Sequence, residues 1–156
     1  MRSFLKWLLY IAATAALLLA VAVSAFLWWI PGPSADEVSR VTAPRGDIEA
    51  VLIETNGGAT TSFGYEIFVV PRGTKASGTP AAFLYGALRS QRAYGVNLRW
   101  LSDSNLDVEF ESTQSAKLGV PLVFVANRNI HVELKANVTD PKAPPGGMLY
   151  NLKGRP

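Results

Sequence analysis

The chain has 156 residues, 49% of them hydrophobic, with fifteen Lys/Arg, twelve Asp/Glu, one histidine and no cysteine. The missing cysteine removes disulfides, thiolate nucleophiles, sulfur-ligated metals and lipid attachment through a cysteine. One long apolar segment aside, the length suits a single compact domain and is too short for two.

From Trp7 to Ile30 no residue is charged. As a helix this stretch covers about 36 Å, enough to cross a hydrocarbon core of about 30 Å with some tilt. Its polar interruptions, Thr14 and Ser24, are tolerable because their hydroxyls can bond a carbonyl one turn back. Trp7 and Tyr10 near one end, and Trp28 and Trp29 at the other, suit the two headgroup layers. Arg2 and Lys6 precede the segment, which places residues 1–6 in the cytoplasm and the rest of the chain beyond the membrane. Removing these two basic residues leaves thirteen Lys/Arg against twelve Asp/Glu, a net of +1. The pI near 9.3 therefore reflects topology in good part, and nucleic acid is not an expected partner.

Small-residue triplets such as Ala20-Val21-Ala22 and Val23-Ser24-Ala25 fit a signal peptidase, which makes a cleaved leader the rival reading. An apolar stretch this long favours a retained anchor. Ala12, Ala16 and Ala20 share a helix face at four-residue spacing, a surface on which two copies can pair as a homodimer.

Residues 31–46, rich in Pro, Gly, Ser and Ala, read as a linker, and the outer domain is expected over 47–140. Residues 48–55 and 63–70 are dense in β-branched and aromatic side chains and predict a hairpin around Asn56–Ser62. Pro71-Arg72-Gly73 ends the second strand and opens a surface loop. Residues 80–93 fit a helix or a strand; the strand neighbours favour a strand over 82–87. Val96–Trp100 and Leu106–Phe110 alternate apolar and polar residues about a turn at Asp103-Ser104-Asn105, with one face expected buried and one wet. Arg99 is set to pair with the acidic row opposite. Residues 119–126 and 130–138 supply two more strands around Asn127-Arg128-Asn129. A polar tail rich in Pro and Gly, residues 141–156, reads as loose. Six or seven short strands without a strong helix predict a mainly β protein, one N-terminal transmembrane helix followed by a small antiparallel β-sandwich or partly open barrel.

Candidate chemistry is sparse. His131 stands alone on a polar strand face, with no ligand spacing around it. Asp103, Asp107, Glu109 and Glu111 form an acidic row that reads as a solvated face, with a calcium site or a carboxylate pair as the sharper alternatives. Arg72, Lys75, Arg89, Arg92 and Arg99 lie in a stretch, 67–102, that holds no acid. With Tyr85, Tyr94 and Trp100 interleaved, they outline a basic aromatic patch suited to an anionic partner. The Asn56–Ser62 loop combines glycines and hydroxyls that can cradle an anion through backbone N–H groups, but lacks the lysine and helix of a P-loop. Asn137-Val138-Thr139 matches a glycosylation triplet, a pattern common by chance. No catalytic, metal-binding or cofactor-binding residue is assigned. Gly57, Gly58, Thr60, Thr61, Arg89 and Arg92 are the candidate partner-binding residues.

Glu54–Val70, with Gly58-Ala59-Thr60-Thr61 in its hairpin, followed by Val96–Phe110 with its Trp-then-acidic hairpin, resembles a family of small bacterial envelope proteins of unknown function. Members carry a signal anchor or a lipoprotein signal. The resemblance covers about two thirds of the outer domain and implies a bacterial envelope location without implying an activity; the absent cysteine leaves the helix as the evident anchor. The expected function is a membrane-anchored, non-enzymatic binding or accessory domain outside the bacterial inner membrane, in contact with an envelope protein. The alternatives are a subunit of a larger membrane complex and a carboxylate-dependent hydrolase.

Overall fold

The computed structural model describes residues 2–29, 34–58, 61–90 and 93–139. The chain divides into two compact units, 1–32 and 33–156. The first contains helix α1, Arg2–Trp29. Its stretch Lys6–Phe26 is long and apolar enough to cross a membrane, and no part of that stretch is covered by protein. Thr14 Oγ1 donates to the Tyr10 carbonyl and Ser24 Oγ to the Ala20 carbonyl, each at 2.8 Å. Both hydroxyls are thus satisfied within the helix, as the sequence leads one to expect.

The second unit contains eleven strands among its described residues: β1 Ser34–Thr42, β2 Ile48–Asn56, β3 Gly64–Pro71, β4 Ala82–Tyr85, β5 Arg89–Ser90, β6 Ala93–Tyr94, β7 Asn97–Ser102, β8 Asn105–Glu109, β9 Ser115–Leu118, β10 Leu122–Val125 and β11 Arg128–Lys135. One sheet has the order β1-β2-β3-β4-β9, the other β10-β11-β8-β7, and β5-β6 forms a small ribbon. The result is a small two-layer β-sandwich whose sheets do not close into a barrel. Ile48, Ala50 and Leu52 of β2 and Tyr65 and Ile67 of β3 meet Leu98, Leu106, Val108, Ile130 and Val132 of the second sheet in one core.

Three expectations change. Residues 34–42, read as linker, form β1, paired with β2 from Ser34↔Asn56 to Thr42↔Glu49. A bulge between Glu37 and Ser39 places the buried Val38 out of step with its neighbours, and the broken period hides the strand. The strand expected over 119–126 is shorter, β10 at Leu122–Val125, and an unexpected strand, β9, precedes it on the first sheet, so the chain changes sheets between the two. That crossover lets β11 return parallel to β8, an arrangement no hairpin can give. Between β10 and β11 the turn falls on Ala126 and Asn127, at φ +47° and +59°. This is the two-residue geometry that matches strand twist, one position earlier than expected. The undecided stretch resolves as the strand β4, shorter than expected. Residues 141–156 lie outside the described part.

Val51, Phe68 and Val70 form a second, smaller cluster, with Ile53 and Ala76 packed against it. It lies on the face of the first sheet away from the core, and the loop after β3 folds over it. Glu49 and Arg40 hold that loop down. Arg40 donates from Nη1 to Glu49 Oε2 at 2.6 Å and to the Thr74 carbonyl at 3.1 Å, and grips Glu37 through Nε and Nη2. The Gly73 N–H donates to Glu49 Oε2 at 2.9 Å. Trp100 Nε1 donates to the Val41 carbonyl at 2.9 Å, fastening edge strand β1 to the second sheet.

Candidate functional site

The hairpin loop between β2 and β3 is built by its own polar groups. Asn56 Oδ1 accepts from the Gly58 N–H at 2.9 Å, a side-chain turn that Asn forms readily. Gly58 sits at φ +107°, a conformation that favours glycine. A Cβ on Gly57 would meet Thr61 Oγ1 at 2.8 Å, so this position also favours glycine, for close approach. The Thr61 N–H and hydroxyl both donate to the Gly58 carbonyl, at 3.2 and 3.1 Å. The Ser62 N–H donates to Tyr85 Oη at 3.0 Å, and Gln114 Nε2 donates to Ser62 Oγ at 3.1 Å.

Among the described residues of the loop, the N–H groups of Gly58, Thr61 and Ser62 are already committed inside the protein and are not free to cradle an anion. Instead the loop walls a cavity of about 410 Å³, within the usual range of about 300–1,000 Å³ for small-molecule sites. Ser34 and Ala35 of β1, Thr55 and Asn56 of β2, and Tyr85 of β4 complete it with Gly57, Thr61 and Ser62. The strands bring these residues together because Ser34 is opposite Asn56 on one side of β2 and Gly64 is opposite Tyr85 on the far side of β3. Sequence reasoning finds Gly57 and Thr61, names Tyr85 only as part of a basic aromatic patch, and misses Ser34, hidden in the supposed linker. Thr60 lies outside the described residues.

Arg89 does not line this cavity. Its side chain is only 19% exposed, with Nη1 3.3 Å from Glu54 Oε2 and Cζ 4.3 Å from the centroid of the Phe63 ring. Glu54 and Tyr65 are cross-strand neighbours, both buried. Burial pushes the Glu54 carboxyl above its ordinary range, against the pull of Arg89. Burial and the Glu54 charge likewise raise the Tyr65 phenol. Neither Glu54 Oε2 nor Tyr65 Oη has a well-aligned hydrogen bond. Gly95, at φ +100°, backs this cluster, and a Cβ there would stand 2.7 Å from Tyr65 Oη. Gly95→Ala is therefore expected to cost about 1–3 kcal/mol through strain and displacement of Tyr65. Thermal unfolding of the full-length protein in detergent measures it.

Arg92, the other basic candidate, lies outside the described residues. Two further arginines of the basic stretch each lie near an acid: Arg72 Nε is 4.0 Å from Glu49 Oε1, and Arg99 Nε is 2.5 Å from Glu109 Oε1, with both side chains more than half exposed.

The acidic row is not the solvated face expected of it. Asp107 and Glu109 are 3% and 5% exposed. Arg99 reaches both, with Nη2 3.6 Å from Asp107 Oδ2, and Asn97 Nδ2 donates to Glu109 Oε2 at 3.2 Å. Alternation identifies the face of a strand but not the long side chains that lie across it. Asp103 is separate from this group, accepting from the Arg45 N–H at 2.6 Å. Arg99 thus engages Asp107 and Glu109 as a cross-strand ion-pair group. His131 is exposed on β11. Among the described residues, no group of three or more His, Cys, Asp or Glu gathers to hold a metal ion.

Comparison with known proteins found no matching family model, no matching curated protein and no matching solved structure.

Proposed function

We propose that the chain is a single-pass membrane protein of the bacterial envelope whose β-sandwich, outside the cytoplasm, is a non-enzymatic binding or accessory module that engages its partner at the β2–β3 loop cavity. The observation that carries this reading is the uncovered apolar surface of Lys6–Phe26 on a chain that has a separate sandwich with its own core. A helix apolar on every side has its free-energy minimum in lipid. The basic Arg2 and Lys6 before the helix, and Asp36 and Glu37 after it, support a cytoplasmic N-terminus. The resemblance of Glu54–Val70 and Val96–Phe110 to small envelope proteins supports the location. The cavity supports binding there, because its wall is fixed by internal hydrogen bonds before any ligand arrives.

Two measurements test it. The protein is expected to stay in the membrane pellet after alkaline carbonate washing, with its C-terminus open to protease from outside the inner membrane. Release by carbonate, or protection of the C-terminus, would defeat the anchor or its orientation. A photo-crosslinking residue at Ser62 in intact cells is expected to capture a partner that one at Ser104 does not. Equal capture at both positions would remove the loop from the proposal.

A further inference from the structure

We propose that the β2–β3 loop cavity takes a neutral, hydroxyl-rich ring, a saccharide unit, and this rests on the reading above that the cavity is the module's binding site. The chemistry of the wall carries the assignment. Ser34, Thr55, Thr61 and Ser62 present hydroxyls and Asn56 an amide, groups that both donate and accept. Among the described residues, no lysine, arginine, aspartate or glutamate lines the cavity, so none of its described side chains compensates a charge on the ligand. An anion is further disfavoured because the N–H groups of Gly58, Thr61 and Ser62 already have protein acceptors.

The wall is mostly apolar in area, and its aromatic part is the Tyr85 ring. Tyr85 is 40% exposed, and its phenol oxygen accepts from the Ser62 N–H, which fixes the ring beside the hydroxyls. The Tyr85 backbone adds rigidity, since its carbonyl accepts from the Thr113 hydroxyl at 2.7 Å and from the Gln114 N–H at 3.0 Å. A sugar presents C–H groups on one face and hydroxyls around its rim. A fixed aromatic surface next to short hydroxylated side chains complements both at once. Asn56 Oδ1, the Thr61 hydroxyl and Ser62 Oγ already bond Gly58 and Gln114, and a hydroxylated ligand can use the donor and acceptor capacity these groups keep beyond those bonds.

The sugar can come from a soluble glycan or from the headgroup of a glycolipid, and the experiment has an arm for each. Full-length protein in phosphatidylcholine nanodiscs is titrated with chitotriose and with maltotriose and followed by ligand-observed NMR. In a second arm the nanodiscs contain a monoglucosyl lipid, with photo-crosslinking to the lipid as the readout. Binding in either arm is expected. In that arm Tyr85→Ala should weaken binding about tenfold or more, the loss of one ring contact. Ser34→Ala, which removes one hydroxyl at the cavity edge without disturbing the loop, should weaken it by a smaller factor. Silence in both arms at millimolar sugar, or binding unchanged by both variants, would overturn the saccharide assignment. Capture of a protein at Ser62 alongside that silence would overturn it in favour of a protein ligand and leave the module reading standing. Silence in both arms with no selective capture at Ser62 would bring down both.

Discussion

Glu49→Ala is expected to destabilise the sandwich by about 3 kcal/mol, because it breaks a buried ion pair and leaves one partner behind. Glu49 is 6% exposed and accepts from Arg40, Gly73 and Thr42. Without it, Arg40 keeps Glu37 and the Thr74 carbonyl, the Gly73 N–H loses its acceptor, and the loop over Val51, Phe68 and Val70 keeps only the Arg40–Thr74 bond and the bonds of Arg72 to Asp47 and Gly46. A melting midpoint lower by roughly 10 °C follows for a domain of this size. The substitution should also change the acid limb of stability. Burial raises the Glu49 carboxyl, but the Gly73 N–H and Arg40 outweigh it and hold the carboxyl below its ordinary value of 4.5. The stabilisation is thus present above that value and is lost as pH falls through the lower folded value. The stability of the wild type should fall with acid in that window, while that of Glu49→Ala shows a shallower slope. An equal slope in both proteins would mean that Glu49 is not the group responsible.

Leu106→Ala should cost about 3–4 kcal/mol, in the range for a fully buried leucine whose surroundings only partly collapse. Leu106 is 0% exposed on β8. It lies between Trp100 of β7 and Val132 of β11, its cross-strand neighbours on either side. Both of those strands pair with β8, so neither can move inward to fill the space without breaking a ladder. Phe124→Ala provides the contrast. That side chain is larger but 70% exposed on edge strand β10, and its removal should change stability by less than about 0.5 kcal/mol. Comparable losses at the two positions would contradict the assignment of the core.

The parts of the fold legible in the sequence are those whose signal is local. β2 and β3 are dense β-branched runs, and β7 and β8 alternate about a short turn, so both hairpins follow from neighbouring residues. β1 escapes because the bulge at Val38 interrupts its period. β9 escapes because Ser115-Ala116-Lys117-Leu118 has only Leu118 packed against the core. The parallel pairing of β8 with β11 joins segments separated by a change of sheet, which no local pattern records. The candidate site divides in the same way. The glycines of the β2–β3 loop stand out because a tight loop demands them. Ser34 and Tyr85 become neighbours of that loop only once β1 and β4 have taken their places in the sheet.

The conversion of the supposed linker into β1 has a mechanical consequence. Any tension transmitted from the helix enters the sandwich at Ser34, and Ser34 is the ladder partner of Asn56, where the candidate binding loop begins. A pull on a partner seated in that loop would load the first rungs between β1 and β2 and largely bypass the core. A pull applied at the Ala126-Asn127 turn would instead load the wider structure, including the rest of the β1–β2 ladder and the Trp100 tie. The same tether would therefore yield at different forces depending on where the partner holds.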